Sequence, residues 1–387
     1  MDRIRLIASD MDATLLDEYS QLPPKFTETI RALAGQGILF AAASGRPLYT
    51  LETMFPDLLE EIILIGDNGG AARFAESVKK YNGDIEFVDL DCPPTLENVE
   101  KLRGCEGFLF SPFKNDGDIF WKKVSEVGVK YVVTCSAGYD HFDLAAMKKY
   151  GLKAANVPFY SPNAVAEHAV MLLLASLRKL RTQFENISQY NMSLDGLMGS
   201  EVRNQVIGIV GAGRIGTTTI KILTGFGPKK IYACSPDERD EVKQMAEYVS
   251  IDELYAKCDV IVYHCAYNKE NHHMVNARTI EKMKPGVLLI NVARGGLFDT
   301  QAILDGLNSG KLGGVALDVI EGEETLRKPQ GQNDLPILDE LLKHENFIFT
   351  MHTAFYTDEA DRNQSDTTLE NFNEYRTTGR CRYELVK

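Results

Sequence analysis

Short apolar runs alternate with longer mixed stretches along most of the chain. Residues 206–210 read as a buried strand, and residues 215–224 behind them carry apolar positions at helical spacing. Further strands are predicted at 230–234, 260–264, 287–292, 314–317 and 347–350, with helices at 249–258, 276–283 and 303–309. Strand alternating with helix predicts a parallel sheet with helices on its faces. The same rhythm occupies the first part of the chain. Strands are predicted at 4–9, 38–43, 62–65, 85–90, 107–110, 129–134 and 154–157, and helices at 25–36, 48–54, 71–81, 96–102, 119–127 and 144–150. The run 62–65 can close one parallel unit or open the next. Tyr160-Ser161-Pro162-Asn163 opens a helix at 164–178 that is apolar nearly all round, as a core or subunit-interface helix is. Residues 182–203 read as a polar connection.

Composition changes this picture little. A chain of 387 residues can form two or three domains, and 44% hydrophobic with 25% charged residues is ordinary for a globular protein. A net charge of −13 argues against nucleic acid as a partner. No apolar run approaches the roughly 20 residues needed to cross a bilayer, and the N-terminal run is too short for a signal peptide. A cytoplasmic protein with no membrane partner is therefore expected. The seven cysteines (92, 105, 135, 234, 258, 265 and 381) include no C-x-x-C pair, so reduced thiols and no metal site are expected.

The chemistry begins at the turn after the strand 206–210. Gly211, Gly213 and Gly216 stand at G-x-G-x-x-G spacing, with Arg214 and Ile215 between them. The first glycine makes the tight turn, the second lets backbone approach a pyrophosphate, and the third lets helix pack on strand. The helix N-terminus adds unpaired N–H groups and partial positive charge. A dinucleotide site is predicted. Three further spots follow predicted strands, where ligands bind in open α/β sheets. They are 291–296 (Asn-Val-Ala-Arg-Gly-Gly), 317–323 (Leu-Asp-Val-Ile-Glu-Gly-Glu) and 351–356 (Met-His-Thr-Ala-Phe-Tyr). A guanidinium offers a planar fork to a carboxylate, and an imidazole titrates near neutrality.

In order, these phrases resemble the D-isomer-specific 2-hydroxyacid dehydrogenases, most of all their D-lactate dehydrogenase branch. The resemblance covers about residues 62–387 and includes Asn-Val-Pro-Phe-Tyr-Ser-Pro-Asn-Ala-Val-Ala-Glu-His at 156–168. It implies reversible hydride transfer between a nicotinamide and a 2-keto acid such as pyruvate. By the same resemblance Arg294 clamps the substrate carboxylate, His352 is the general acid or base, and Glu323 holds that histidine charged. Ala137, Gly138, Tyr160, Phe355 and Ser111 match substrate-binding positions. Gly211, Gly213, Arg214, Ile215, Gly216, Ser235, Cys265, Ala266, Asn271, Val292, Ala293 and Asp318 match cofactor-binding ones. A homodimer through the apolar helix is implied as well.

Two positions depart from the family pattern. Where NAD users carry an acid after the second strand, this chain has Ser235, with Asp237 and Glu238 following and Arg239 or Lys230 expected near; NADP therefore stays open. Ser111 stands where relatives specific for pyruvate often place an aromatic, which leaves room for a bulkier keto acid.

The opening residues resemble a second family. Asp10-Met11-Asp12-Ala13-Thr14-Leu15-Leu16, Ala43-Ser44-Gly45-Arg46 and Asp67-Asn68-Gly69-Gly70 are similar to the start of haloacid dehalogenase-like (HAD-like) phosphatases of the Cof type. There Asp10 would be the nucleophile, Asp12 the acid/base and Ser44 a phosphoryl ligand. The likeness stops by about residue 72, before the family's later lysine and acidic pair, so an inactive remnant is expected. The expected fold is thus α/β: a truncated HAD-like unit (1–61), a substrate domain (62–159 and 354–387) and a dinucleotide domain (160–353). The latter two are doubly wound parallel-sheet (Rossmann/flavodoxin-like) domains with a cleft between them. The rival readings are a phosphatase using Asp10 and a catalytically weak fusion protein.

Overall fold

The computed structural model describes residues 5–10, 22, 25–34, 38–43, 55, 58, 62–65, 78–81, 94–110, 117–139, 141–326 and 335–386. Asp12, Ser44, Ser111, the helix expected at 48–54 and the strand expected at 85–90 lie outside them. The chain divides into two compact units, Met1–Tyr160 with Asp361–Lys387, and Ser161–Ala360.

In the first unit, β1 (Arg5–Asp10), β2 (Ile38–Ala43) and β3 (Ile62–Ile65) form a parallel sheet in that order, with α1 (Phe26–Ala34) between β1 and β2 in the chain. The run 62–65 pairs with β2, from Phe40 against Ile62 to Ala43 against Ile65. Of its two possible roles, the described pairing closes the first sheet. A second parallel sheet orders β4 (Gly107–Leu109), β5 (Tyr131–Val133) and β6 (Lys153–Ala155), with α2 (Asp118–Glu126) and α3 (Leu144–Lys149) following β4 and β5. Phe120, Trp121 and Val124 of α2 are buried, and the Trp121 ring lies 5.3 Å from that of Phe110. A helix was expected at 96–102, but only a single 3-10 turn forms, at Val99–Leu102. The Asn98 side chain accepts the Thr95 N–H at 2.6 Å, a local bond that competes with helix.

The second unit opens with α4 (Pro162–Leu177). Ser161 caps it by accepting the Ala164 N–H, and Pro162 fills the first turn, where its missing donor costs nothing. The polar connection expected after it instead contains a helix, α5 (Leu180–Ser188). None of its residues is buried, so its apolar positions meet no core among the described residues.

The sheet then builds from β7 (Val206–Val210), α6 (Arg214–Thr224), β8 (Lys230–Cys234), α7 (Asp240–Lys243), β9 (Glu247–Tyr248), α8 (Ile251–Lys257), β10 (Val260–Tyr263), α9 (Ala277–Glu281), β11 (Val287–Asn291), α10 (Thr300–Asn308), β12 (Leu312–Leu317), α11 (Pro336–Leu342) and β13 (Phe347–Phe349), of which α7, β9 and α11 were not expected. The seven strands are parallel in the order β9-β8-β7-β10-β11-β12-β13. Both faces are covered: Val260 and Val262 join one apolar cluster with α4 and α6, while Ile261 and Tyr263 join another with α8, α9 and α10. Alternation along one strand into two cores is what a doubly wound sheet requires.

A last helix, α12 (Asp358–Thr378), returns the chain to the first unit. Its buried positions include Ser365, Thr368 and Asn371, and the Asn371 amide donates to the Asn156 carbonyl at 3.0 Å. Tyr375 stacks on Tyr131 at 4.7 Å.

Candidate active site

The sheet order reverses direction between β7 and β10, and the glycine turn leaves β7 at that crevice. Gly211 has φ +93°, and a Cβ there would sit 2.5 Å from the Cys265 nitrogen. A Cβ at Gly216 would sit 2.1 Å from the Gly211 carbonyl oxygen, so this glycine lets α6 approach the turn. Gly213 is different: a Cβ there would meet nothing within 4 Å, and its φ of −68° suits any residue. Protein packing does not require glycine at 213. A phosphate group approaching the first turn of α6 does, and no side chain caps that turn. The residues present therefore fit a dinucleotide. Cys265 and Ala266 follow β10, and Val292 and Ala293 follow β11, along the same edge. Asn271 folds its side chain into its own loop, donating to the Ala266 carbonyl at 2.7 Å and accepting the Asn268 N–H at 2.7 Å.

Ser235 directly follows β8. Lys230, expected near it, starts that strand instead, about 16 Å away by strand rise. Its ammonium pairs with Glu247 at 2.8 Å, so the expectation of Lys230 beside a 2′-phosphate is corrected. Glu238 pairs with Lys243 at 3.0 Å.

Arg294, Glu323 and His352 follow the C-terminal ends of β11, β12 and β13, three neighbouring strands. Parallel strands lie about 4.8 Å apart, which puts the three side chains on one edge of the sheet. The Arg294 turn is shaped by Asn291, fully buried, whose side chain donates to the Arg294 carbonyl at 2.9 Å and accepts the Ala293 N–H at 3.0 Å. A Cβ at Gly295 would sit 2.2 Å from the Ile320 carbonyl carbon, so glycine lets this turn press against the segment leading to Glu323.

His352 has φ +54°, a left-handed conformation uncommon for a side-chain-bearing residue. Its Nδ1 lies 2.5 Å from Glu323 Oε1, and the other carboxylate oxygen accepts the Ile320 N–H at 3.0 Å. With Nδ1 engaged, Nε2 is the atom left to meet a substrate. Phe355 sets its ring edge-on to the imidazole at 6.0 Å.

Asp318 was expected to touch the cofactor, but its side chain is only 1% exposed. Its carboxylate accepts the Thr350 hydroxyl at 2.6 Å and the N–H groups of Thr353 and Ala354 at 2.9 and 3.0 Å, and His168 Nε2 lies 3.3 Å away. Burial works against its charged form, yet the hydrogen bonds from His168, Thr350, Ala354 and Thr353 prevail and hold its carboxyl below the ordinary value. Asp318 is thus an anchor for the loop that carries His352. His168 and Thr350 are part of the same support, and Thr350 Oγ1 lies 2.9 Å from His168 Nε2. The sequence assigned neither residue a role, although His168 closes the motif at 156–168.

In the first unit, the Ser136 carbonyl accepts the Val157 N–H and the Ala137 carbonyl accepts the Asn156 side chain at 2.7 Å. In trans peptides this turns the N–H groups of Ala137 and Gly138 the other way. Neither donates to a partner among the described residues. The Tyr160 carbonyl accepts the Asn363 side chain at 2.7 Å. Asp10 ends β1, paired in register with Ala43 at the end of β2.

Residues 170–354 match the family model described as the NAD binding domain of D-isomer specific 2-hydroxyacid dehydrogenase. An aromatic 2-oxoacid reductase of Clostridium sporogenes is 39% identical over 316 residues, 81% of this chain and 95% of that protein. The chain belongs to the D-isomer specific 2-hydroxyacid dehydrogenases. It is an NAD-dependent oxidoreductase of that family. A D-lactate dehydrogenase of Treponema pallidum superposes with a TM-score of 0.72 at 32% identity, over 82% of this chain and 96% of that one. A D-2-hydroxyisocaproate dehydrogenase superposes with a TM-score of 0.74 at 32% identity, over 82% and 97%. Residues 7–90 match a model described as haloacid dehalogenase-like hydrolase, as the opening motifs implied; the match runs beyond residue 72. Among the described residues no helix is long and apolar enough to cross a membrane.

Proposed function

We propose that this dehydrogenase reduces 2-oxo acids with side chains larger than that of pyruvate, as well as pyruvate itself, to the D-hydroxy acids. The observation that carries the reading is the His352–Glu323 pair beside the Arg294 turn, on the sheet edge that also holds the glycine turn. Arg294 grips the substrate carboxylate through its guanidinium fork. His352 gives a proton from Nε2 to the keto oxygen, converting C=O to C–OH, and takes it back in the reverse direction. Glu323 keeps the imidazole oriented through its bond to Nδ1. Bound at the glycine turn, the reduced cofactor supplies the hydride. Gly211, Gly213, Arg214, Ile215 and Gly216 hold its pyrophosphate, and Ser235, Cys265, Ala266, Val292 and Ala293 line its path. Ala137, Gly138, Tyr160, Phe355 and Ser111 keep the substrate-binding roles that the resemblance assigns.

The relatives support a broad substrate class. They include an aromatic 2-oxoacid reductase, a D-lactate dehydrogenase and a D-2-hydroxyisocaproate dehydrogenase. Comparing kcat/KM for pyruvate, 4-methyl-2-oxopentanoate and phenylpyruvate with NADH tests this, with chiral chromatography of the products. Larger kcat/KM for either bulky acid than for pyruvate, and D-products only, is the expected result. Activity confined to pyruvate would remove the substrate proposal.

The working form is a cytoplasmic homodimer. Met171 on α4, Leu180, Phe184 and Ile187 on α5, and Tyr190 just beyond are exposed apolar residues within one short stretch. Such a patch on a soluble chain favours association, and a second copy presents the same patch.

A second reading, phosphoryl transfer from Asp10, has one observation in its favour, the match of residues 7–90 to a hydrolase family. Release of phosphate from p-nitrophenyl phosphate with magnesium, abolished by Asp10→Asn, would establish it. No release is expected.

A further inference from the structure

The loop between β10 and α9 carries two consecutive histidines that the dehydrogenase reaction does not use. His273 has φ +51°, in the left-handed region, as His352 does. Its N–H donates to the Gly296 carbonyl at 2.9 Å, and its own carbonyl accepts the Asn276 side chain at 2.8 Å. The backbone is therefore pinned from both sides, and strain of this kind persists only where the surroundings impose it. The His272 and His273 rings stack with centroids 3.8 Å apart. His273 Nε2 lies 2.8 Å from Glu321 Oε2, and His272 Nδ1 lies 3.1 Å from the Tyr267 hydroxyl. One ligand atom each from His272, His273 and Glu321 lies within 4.8 Å of the other two.

We propose that His272, His273 and Glu321 form a binding site for a divalent transition metal of the zinc class. Two imidazole nitrogens and one carboxylate oxygen are the donor set that zinc takes when a fourth position stays open to water. Ligand bonds of about 2.0–2.2 Å place tetrahedral donors roughly 3.3 Å apart. The His273–Glu321 pair already lies inside that spacing. The widest separation must close by about 1.5 Å, which needs only rotation of exposed side chains, the imidazoles splaying out of their stack so that the metal lies in both ring planes. The side chains of His273 and Glu321 are 33% and 44% exposed, so a metal has an entry path. An ion pair with Glu321 explains His273 alone. It does not explain a second imidazole laid against the first with its ligand nitrogen in reach of the same carboxylate. Calcium and magnesium prefer all-oxygen sites, so the nitrogen donors select against them.

The test reads metal binding rather than turnover, so its failure is distinct from failure of the dehydrogenase reading. Chelator-treated full-length protein without an affinity tag is titrated with zinc by calorimetry and with cobalt by visible absorption. One equivalent per chain is expected, with a cobalt spectrum of four- or five-coordinate type. His272→Gln and Glu321→Gln, each checked by thermal melting without metal, weaken binding about tenfold or more. No stoichiometric binding, or binding unchanged in both variants, would overturn the proposal.

Discussion

Replacing Gly213 and Gly216 with alanine, one at a time, separates what the fold requires of the glycine turn from what the cofactor requires. At Gly216 the new methyl carbon would lie 2.1 Å from the Gly211 carbonyl oxygen, which is backbone and cannot swing aside. Restoring a normal contact moves α6 off β7 by more than about 1 Å, and overpacking of this kind costs about 1–3 kcal/mol or more. At Gly213 no protein atom lies within 4 Å of the methyl position and φ is −68°, so backbone strain is absent. Stability then changes only through the poorer helix cap that alanine makes, about 1 kcal/mol at most. In the proposed placement the methyl group occupies the space through which the pyrophosphate reaches the first turn of α6. Losing that approach lowers NADH affinity at least about tenfold, or 1.4 kcal/mol. Urea unfolding and titration of NADH fluorescence measure the two quantities. Gly213→Ala is expected to keep its unfolding midpoint and lose NADH, whereas Gly216→Ala loses both. Normal NADH affinity in Gly213→Ala would refute the placement of the phosphates.

Asp318→Ala leaves the Thr353 and Ala354 N–H groups without their acceptor, at about 1–3 kcal/mol each, so urea unfolding should show a loss of roughly 2–6 kcal/mol. A loss below about 1 kcal/mol would contradict the anchor role. His264 keeps Nε2 against Thr219 at 2.9 Å, while its Nδ1 is sealed from solvent without a partner among the described residues. Burial pushes its pKa down to about 3 from 6.5. The unfolded chain therefore binds this proton first: the contribution is complete above pH 6.5 and is lost as pH falls towards 3. Between pH 6.5 and 5 it amounts to about 2 kcal/mol, and in His264→Gln the unfolding free energy should be flatter with pH over that window. Parallel curves would show that the imidazole is protonated in place. Phe184→Glu together with Ile187→Glu on α5 should convert a dimer to a monomer in light scattering, with secondary structure intact; an unchanged mass would place the interface elsewhere.

The dinucleotide unit was legible because its strands are buried on both faces and so appear as unbroken apolar runs between helices. Its three strand-end motifs could be found for the same reason, since each follows such a run. Other elements left weaker traces. Helix α5 buries nothing among the described residues, so its apolar positions looked like a solvated connection. Helix α12 packs through Ser365, Thr368 and Asn371, which hydrophobic periodicity cannot register. Asp318 looked like a ligand-facing acid; its side chain is buried and bonds Thr350, Thr353 and Ala354 of the His352 loop, which spacing along the chain does not reveal. The expectation of no metal rested on cysteine spacing, which says nothing about two neighbouring histidines and a glutamate 48 positions on.

In the proposed reaction the imidazole of residue 352 delivers the proton during keto-acid reduction. Turnover of phenylpyruvate and pyruvate by His352→Ala at neutral pH, with NADH affinity measured on the same protein, tests it most directly. Loss of about 10²–10⁴-fold in turnover with NADH binding retained is the predicted result. Near-normal turnover would contradict the account.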